Sequence, residues 1–289
     1  MIKGNLLLQK FLKSFLFVFI FGVSIVSAKT DKSFDFGLYL FEHREYFRAI
    51  SEFQRFIFFN PKSRLEQDAK FYMGLSYFKA YRYYDAIESF EPLIKSKKYK
   101  IPAYFFMGDS AFYVQQYDRA YNYYEKIYEK ADSVMLQQKA LFKTTWPLLF
   151  QHKFSEVLSV YDKLDVNRNL DLPNMREVVT DLKNFKGLSP WLAGTMSAVL
   201  PGSGQFYDKR PGDGFVAFLT VGLLTAGSYF LWNDYKYKEI AVAVSITDIF
   251  FYLGNIYSAF SSAHKYNRLY LKKNIDMLKN NYWTEYEYK

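Results

Sequence analysis

The chain has 289 residues, a formal net charge of +9, no cysteine, and aromatic residues at 21%. That length allows one or two domains. The absence of cysteine excludes a disulfide framework, a thiolate metal site, a cysteine nucleophile and a lipid-modified N-terminal cysteine. The Lys and Arg residues are dispersed among acids rather than clustered on one face, which argues against a nucleic-acid partner.

Residues 1–28 have the three-part pattern of a signal peptide. Lys3, Lys10 and Lys13 form a basic start, Phe15–Val26 is an apolar core, and Val26-Ser27-Ala28 is a small-residue cleavage site. The apolar run is shorter than the roughly 20 residues a spanning helix needs. The pattern predicts cleavage after Ala28 and delivery of the following residues across a membrane.

Next comes a repeat. Gly74 and Gly108, Tyr83 and Tyr117, Ala86 and Ala120, and Phe90 and Tyr124 are all 34 residues apart. The pattern extends upstream to Gly37, Tyr46, Ala49, Phe53 and Pro61, with an insertion near Ser63–Glu66. Downstream, Phe154, Val157 and Tyr161 continue it, but Thr145 stands in the glycine place and Pro147 falls inside the first helix of that copy. This period and these residues resemble the tetratricopeptide repeat, a helix–turn–helix unit. The resemblance covers residues 29–171, in copies at about 30–63, 67–100, 101–134 and 138–171. It implies an all-α solenoid of helical hairpins whose concave face binds a protein or peptide partner.

Within the first helix of each copy, Phe34, Phe71, Phe105 and Phe142 recur, followed seven residues later by Phe41, Phe78, Phe112 and Leu149. A spacing of seven keeps both sets on one helix face. The rings either line a partner-binding groove or pack between neighbouring first helices. Residues 172–189 read as a closing helix and linker, capped by Asn174 with Glu177 three residues on. Val178, Val179, Leu182 and Phe185 are spaced to cover the last repeat, and Gly187 and Pro190 follow as stop signals.

Residues 190–264 change character. Gly214–Trp232 has 19 residues without a charge, and Ile240–Ala263 has 24 with one, Asp248. Both are long enough to span a bilayer, and Gly222 and Ala226 offer a small-residue face for a packed helix. Residues 190–207 read as a re-entrant or a third spanning segment. Lys209, Arg210, Lys265, Arg268, Lys272 and Lys273 favour three crossings, which would place them on the cytoplasmic side. Residues 265–289 form a basic polar tail.

Pro201, Gly202, Gly204, Gln205 and Tyr207, followed by Arg210 and Gly214 and later by Asp248, resemble the glycine-rich motif of TM2-like bacterial membrane modules. Gln205 stands where His or Asp is common, and the stretch before Asp248 is longer. The resemblance implies a membrane module and no chemistry. The glycines allow a tight turn at the membrane surface.

No metal-ligand spacing joins His43, His152 and His264, and no nucleophile, dinucleotide or P-loop motif is present. The sequence therefore predicts a non-enzymatic scaffold without metal or cofactor. It would bind a protein partner on the outer side of a bacterial cytoplasmic membrane and be anchored in the bilayer through residues 190–264. An acid inside a span is a functional candidate, so a transport or channel component using Asp248 is the alternative. The structural reading of Asp248 is a hydrogen bond to Thr220, Thr225 or Gln205.

Overall fold

The computed structural model describes residues 32–164 and 173–283. The signal-peptide pattern of residues 1–28 lies outside them. The described residues fall into two compact units divided at residues 172 and 173, and they are all-helical, with no strand among them.

The first unit is a run of helical hairpins. Helix α1 covers residues 32–42. It is followed by α2 (Tyr46–Phe59), α3 (Glu66–Lys79), α4 (Tyr83–Phe90) with a 3-10 turn (Glu91–Lys95), and α5 (Lys100–Tyr113). Helices α6 (Tyr117–Lys130), α7 (Val134–Phe150) and α8 (Phe154–Tyr161) complete it. From α2 to α8 each helix packs on the next in the chain.

The 34-residue period has a packing cause. A Cβ added to Gly37 would lie 2.7 Å from the Phe53 ring, one on Gly74 2.7 Å from Phe90, and one on Gly108 2.4 Å from Tyr124. Ordinary carbon contacts are about 3.5–4.0 Å, so in each hairpin a buried aromatic ring occupies the space a side chain would take. Ala49, Ala86 and Ala120 are fully buried at the start of the second helices, and Val157 takes the same place in the fourth.

The hairpin turns repeat as well. Arg44, Tyr81, Gln115 and His152 adopt left-handed backbone, with φ of 62°, 60°, 61° and 59°. Each turn closes the preceding helix with a Schellman pair of bonds, as where Arg82 N–H donates to the Tyr77 carbonyl at 2.9 Å. The fourth copy shares this turn despite its irregular sequence. Pro147 lies inside α7, which runs on through it to Phe150 without the N–H bond that proline cannot donate.

The second unit contains α9 (Pro173–Asn184), α10 (Pro190–Val199), α11 (Ser203–Tyr207), α12 (Pro211–Trp232) and α13 (Lys238–Tyr282). Helix α9 is grouped with this unit, where Phe185 just beyond its end stacks on Tyr270 of α13 at 4.0 Å. It begins at Pro173, so Asn174 lies inside the helix rather than capping it. Proline suits a first helical turn because its missing N–H has no intrahelical acceptor there.

Helices α12 and α13 are each long and apolar enough to cross a membrane. They pair antiparallel, with Thr225 donating to Asp248 at 2.7 Å and Trp232 Nε1–H donating to Ser245 at 3.0 Å. Their outer faces carry large exposed apolar side chains, among them Leu223, Phe230 and Phe250.

Residues 190–207 do not form one continuous helix. Helix α10 starts beside Asn267 and ends beside Tyr252, and the chain then turns back so that Asp208 meets Ser262. Ten helical residues advance only about 15 Å, half a hydrocarbon core. Pro201 and Gly202 stop the helix there, and α11 returns toward the end at which α10 began.

Candidate functional site

The two predicted sites lie in separate units. In the first unit, Phe34, Phe105, Phe112 and Phe142 are buried, while Phe41, Phe71 and Phe78 are half-buried. Phe34 meets Phe53 and Phe56, and Phe41 contacts Tyr46 and Tyr72. Phe71 stacks on Tyr99 with ring centroids 4.4 Å apart, and Phe78 stands edge-on to Phe106 at 5.4 Å. Phe112 meets Tyr117 and Phe150, and Phe142 meets Trp146. The ladder rings are engaged in packing, Phe34, Phe41, Phe71, Phe78 and Phe112 against rings of other helices or their flanking turns, and Phe142 within its own helix. The rings that face outward are others, including Phe47, Phe58, Phe59, Tyr81 and Tyr84. The repeat pattern did not single these out, because none of them recurs through all the copies: Phe47 and Tyr84 take the same place in the first two, where the third has Asp118.

Sequence reasoning also missed two polar clusters in this unit. Lys143 is fully buried and forms an ion pair with Asp109 at 3.1 Å, and the Tyr124 hydroxyl donates to the same carboxylate at 2.6 Å. Burial, followed by the Asp109 charge, holds the Tyr124 hydroxyl well above its usual range. Elsewhere Asp68 accepts from Lys98 and from the Tyr99 hydroxyl. Burial pushes the Asp68 carboxyl up, but these two donors outweigh it and leave it below its ordinary value. Burial, then the bond to Asp68, raises the Tyr99 hydroxyl to about 12. The first cluster joins side chains from α5, α6 and α7, and the second joins α3 to the turn before α5, proximities that no local motif encodes.

The glycine-rich motif is a joint between α10, α11, α12 and α13. Gly202 has φ +87°, and a Cβ there would lie 2.1 Å from the Gly214 carbonyl oxygen. A Cβ on Gly204 would lie 2.0 Å from the Ala193 carbonyl oxygen, and one on Gly214 2.7 Å from the Phe206 ring. All three positions therefore need glycine.

Polar side chains lock this joint. Asn255 of α13 accepts from Gly202 N–H at 3.1 Å and donates to the Ser197 carbonyl at 3.1 Å. Gln205, almost fully buried, accepts from the Ser197 hydroxyl and donates to the Asn255 carbonyl, each at 3.0 Å. Tyr207 accepts from Ser189 N–H, and Asn267 both donates to and accepts from the Leu188 backbone. Asp208 accepts from Ser262 and is otherwise buried, and burial raises its carboxyl above the ordinary value.

Pro201 is half-buried at the hairpin tip. Arg210 is exposed and forms an ion pair with Asp213. Asp248 stands apart from the motif, bonded to Thr225, a partner that the sequence had named. Gln205 is bonded instead to Ser197 and Asn255.

No protein-family model matches the chain, and no curated protein matches it.

Among the described residues no group of three or more His, Cys, Asp or Glu is placed to hold a metal ion. The chemistry of the glycine-rich joint is fixation. It ties the short α10–α11 hairpin to the α12–α13 pair through bonds that leave few buried groups unsatisfied.

Proposed function

We propose that the protein is a non-enzymatic, membrane-anchored scaffold whose tetratricopeptide-type repeats bind another protein. The observation that carries this is the division of labour between the units. One is a stack of hairpins with a recurring glycine–aromatic contact and a recurring left-handed turn. The other exposes long apolar helix faces that water would not tolerate as a free surface. The exposed rings Phe47, Phe58, Phe59 and Tyr84 supply the partner contact in this reading, because the ladder phenylalanines are occupied in packing.

The repeats lie on the outer side of a bacterial cytoplasmic membrane, delivered there by the N-terminal signal pattern. The opposite orientation has one observation in its favour. A hairpin that turns back leaves α12 and α13 as the two crossings, so Lys209, Arg210, Lys265 and Arg268 lie at the same end of the unit as the chain entering from the repeats. The positive-inside tendency would put that end in the cytoplasm.

The chain has no cysteine, so single-cysteine labelling can decide the orientation. Tyr235→Cys lies between the two apolar helices, and Lys272→Cys lies in α13 beyond its apolar stretch. In intact cells the exported reading expects an impermeant maleimide to label Lys272→Cys and spare Tyr235→Cys. The reverse pattern would place the repeats in the cytoplasm. Labelling of both or of neither, with carbonate-extractable protein, would end the membrane-anchor reading. The scaffold reading is tested by crosslinking in cells: Phe58→Ala and Tyr84→Ala should reduce a crosslinked partner at normal protein abundance. Unchanged crosslinks would remove these rings from the interface.

A further inference from the structure

We infer that the second unit carries a seat for an anionic phospholipid, in the groove between α12 and α13 beside the half-depth hairpin. The inference rests on the reading that these two helices cross a bilayer. Because the hairpin stops half-way, it leaves a cleft of about 560 Å³ along the helix pair. Arg210 and Asp213 stand at its mouth, and Val216, Ala217, Phe250 and Phe251 line its deeper part.

The cleft is polar at the end where the hairpin enters and apolar toward the middle of the helices. From Ser258 to Phe250 the wall descends eight residues, about 12 Å of helix. An amphiphile fits that gradient with its head at Arg210 and an acyl chain against the phenylalanines. A free anion would leave the apolar part empty, and a plain hydrocarbon would leave the charged mouth unused.

The charge at the mouth sets the head group. Lys209 reaches over the Tyr266 ring, and Lys265 and Arg268 are exposed one to two turns along α13 from Ser262. The acids nearby are Asp213, paired with Arg210, and Asp208, which is buried. A guanidinium has five N–H donors and Asp213 engages one edge, so Arg210 keeps donors for a phosphate. At the opposite end of the pair, Lys236 and Lys238 are balanced by Asp234 and Glu239. Cations near a membrane surface favour anionic over zwitterionic lipid.

One residue makes the groove testable without disturbing the fold. Gly254 lines the cleft, and a Cβ there would meet nothing within 4 Å. Gly227 is equally open but does not line the cleft. Gly254→Leu therefore fills the groove, and Gly227→Leu adds the same bulk elsewhere on the apolar surface.

The experiment reconstitutes the full chain in vesicles of equal phosphatidylglycerol and phosphatidylcholine, and native mass spectrometry then counts retained lipid. Wild type should keep phosphatidylglycerol about five-fold over phosphatidylcholine. Arg210→Gln with Asp213→Asn, which removes the phosphate donors at the mouth and leaves the net charge unchanged, should lower that ratio. Gly254→Leu should lose most retained lipid while Gly227→Leu matches wild type. Equal retention by the two leucine variants, or an unchanged ratio in the charge variant, would overturn the inference. Failure of the wild-type chain to enter the vesicles would instead remove the membrane reading beneath it.

Discussion

The glycine at the eighth place of the first three repeats should be intolerant of alanine, although the same change helps an open helix. In Gly74→Ala the new methyl would lie 2.7 Å from the Phe90 ring, and in Gly108→Ala 2.4 Å from Tyr124. To restore ordinary contact of about 3.5–4.0 Å, each ring must retreat by roughly 1 Å. Phe90 has no room to retreat, since it is fully buried and stacked on Phe106 at 5.5 Å. Overpacking of this kind costs about 1–3 kcal/mol, while alanine returns about 1 kcal/mol of helix propensity. The net is a loss of about 1 kcal/mol, larger at Gly108 than at Gly74. Urea unfolding of the full-length protein in mild detergent measures it. In a background with Trp191, Trp232 and Trp283 changed to Phe, buried Trp146 reports on the repeats alone. Phe90→Leu should relieve Gly74→Ala, so that the double variant is at least about 0.5 kcal/mol better than the sum of the singles. If both alanine variants instead stabilise by about 1 kcal/mol, as at an open helical site, the glycine–aromatic contact is wrong.

Three further outcomes are expected. Phe105→Ala and Phe112→Ala should each cost about 3–5 kcal/mol in the same unfolding assay, and half-buried Phe71→Ala and Phe78→Ala should cost less; near-zero cost at all four would return them to a binding groove. Burial raises the Asp208 carboxyl, so the folded state holds this proton more tightly than the unfolded chain. Stability from this group is present at low pH and is lost as pH rises from the ordinary carboxyl value, about 3.9, through the raised folded value. Asp208→Asn should therefore be at least as stable as wild type at pH 7, with the difference vanishing near pH 3; a variant less stable at pH 7 than at pH 3 relative to wild type would contradict the sign. Asp248→Asn keeps an acceptor for Thr225 and should match wild type in membrane abundance and partner recovery, whereas Asp248→Leu should accumulate less; normal abundance of Asp248→Asn with lost function would favour the transport reading.

Much of the helical architecture was legible in the chain, because it rests on residues that are near neighbours in sequence. A glycine and the ring sixteen residues on meet inside one hairpin, so the period of 34 announces each hairpin directly. Apolar runs of about 20 residues, with at most one charge, likewise declare α12 and the first half of α13, since hydrophobic length is a local property. Even the Thr225–Asp248 bond could be named in advance, because two antiparallel helices joined by a short turn have few partners to offer.

Other features depended on which surfaces met. The seven-residue spacing placed the ladder phenylalanines on one face but was silent on whether that face met water or the next helix, and packing decided the latter. The sequence left residues 190–207 as a re-entrant or a spanning segment, and the bonds of Asn255, Gln205 and Asn267 to backbone 50 or more residues away hold them as a hairpin against α13. The buried pair of Lys143 and Asp109 spans 34 residues with no motif to mark it. Periodicity, length and turn chemistry were determined by the sequence alone, because each is written within a few turns of chain. Burial, long-range hydrogen bonding and the direction of the hairpin were decided only by the tertiary structure, because each is a property of two surfaces together.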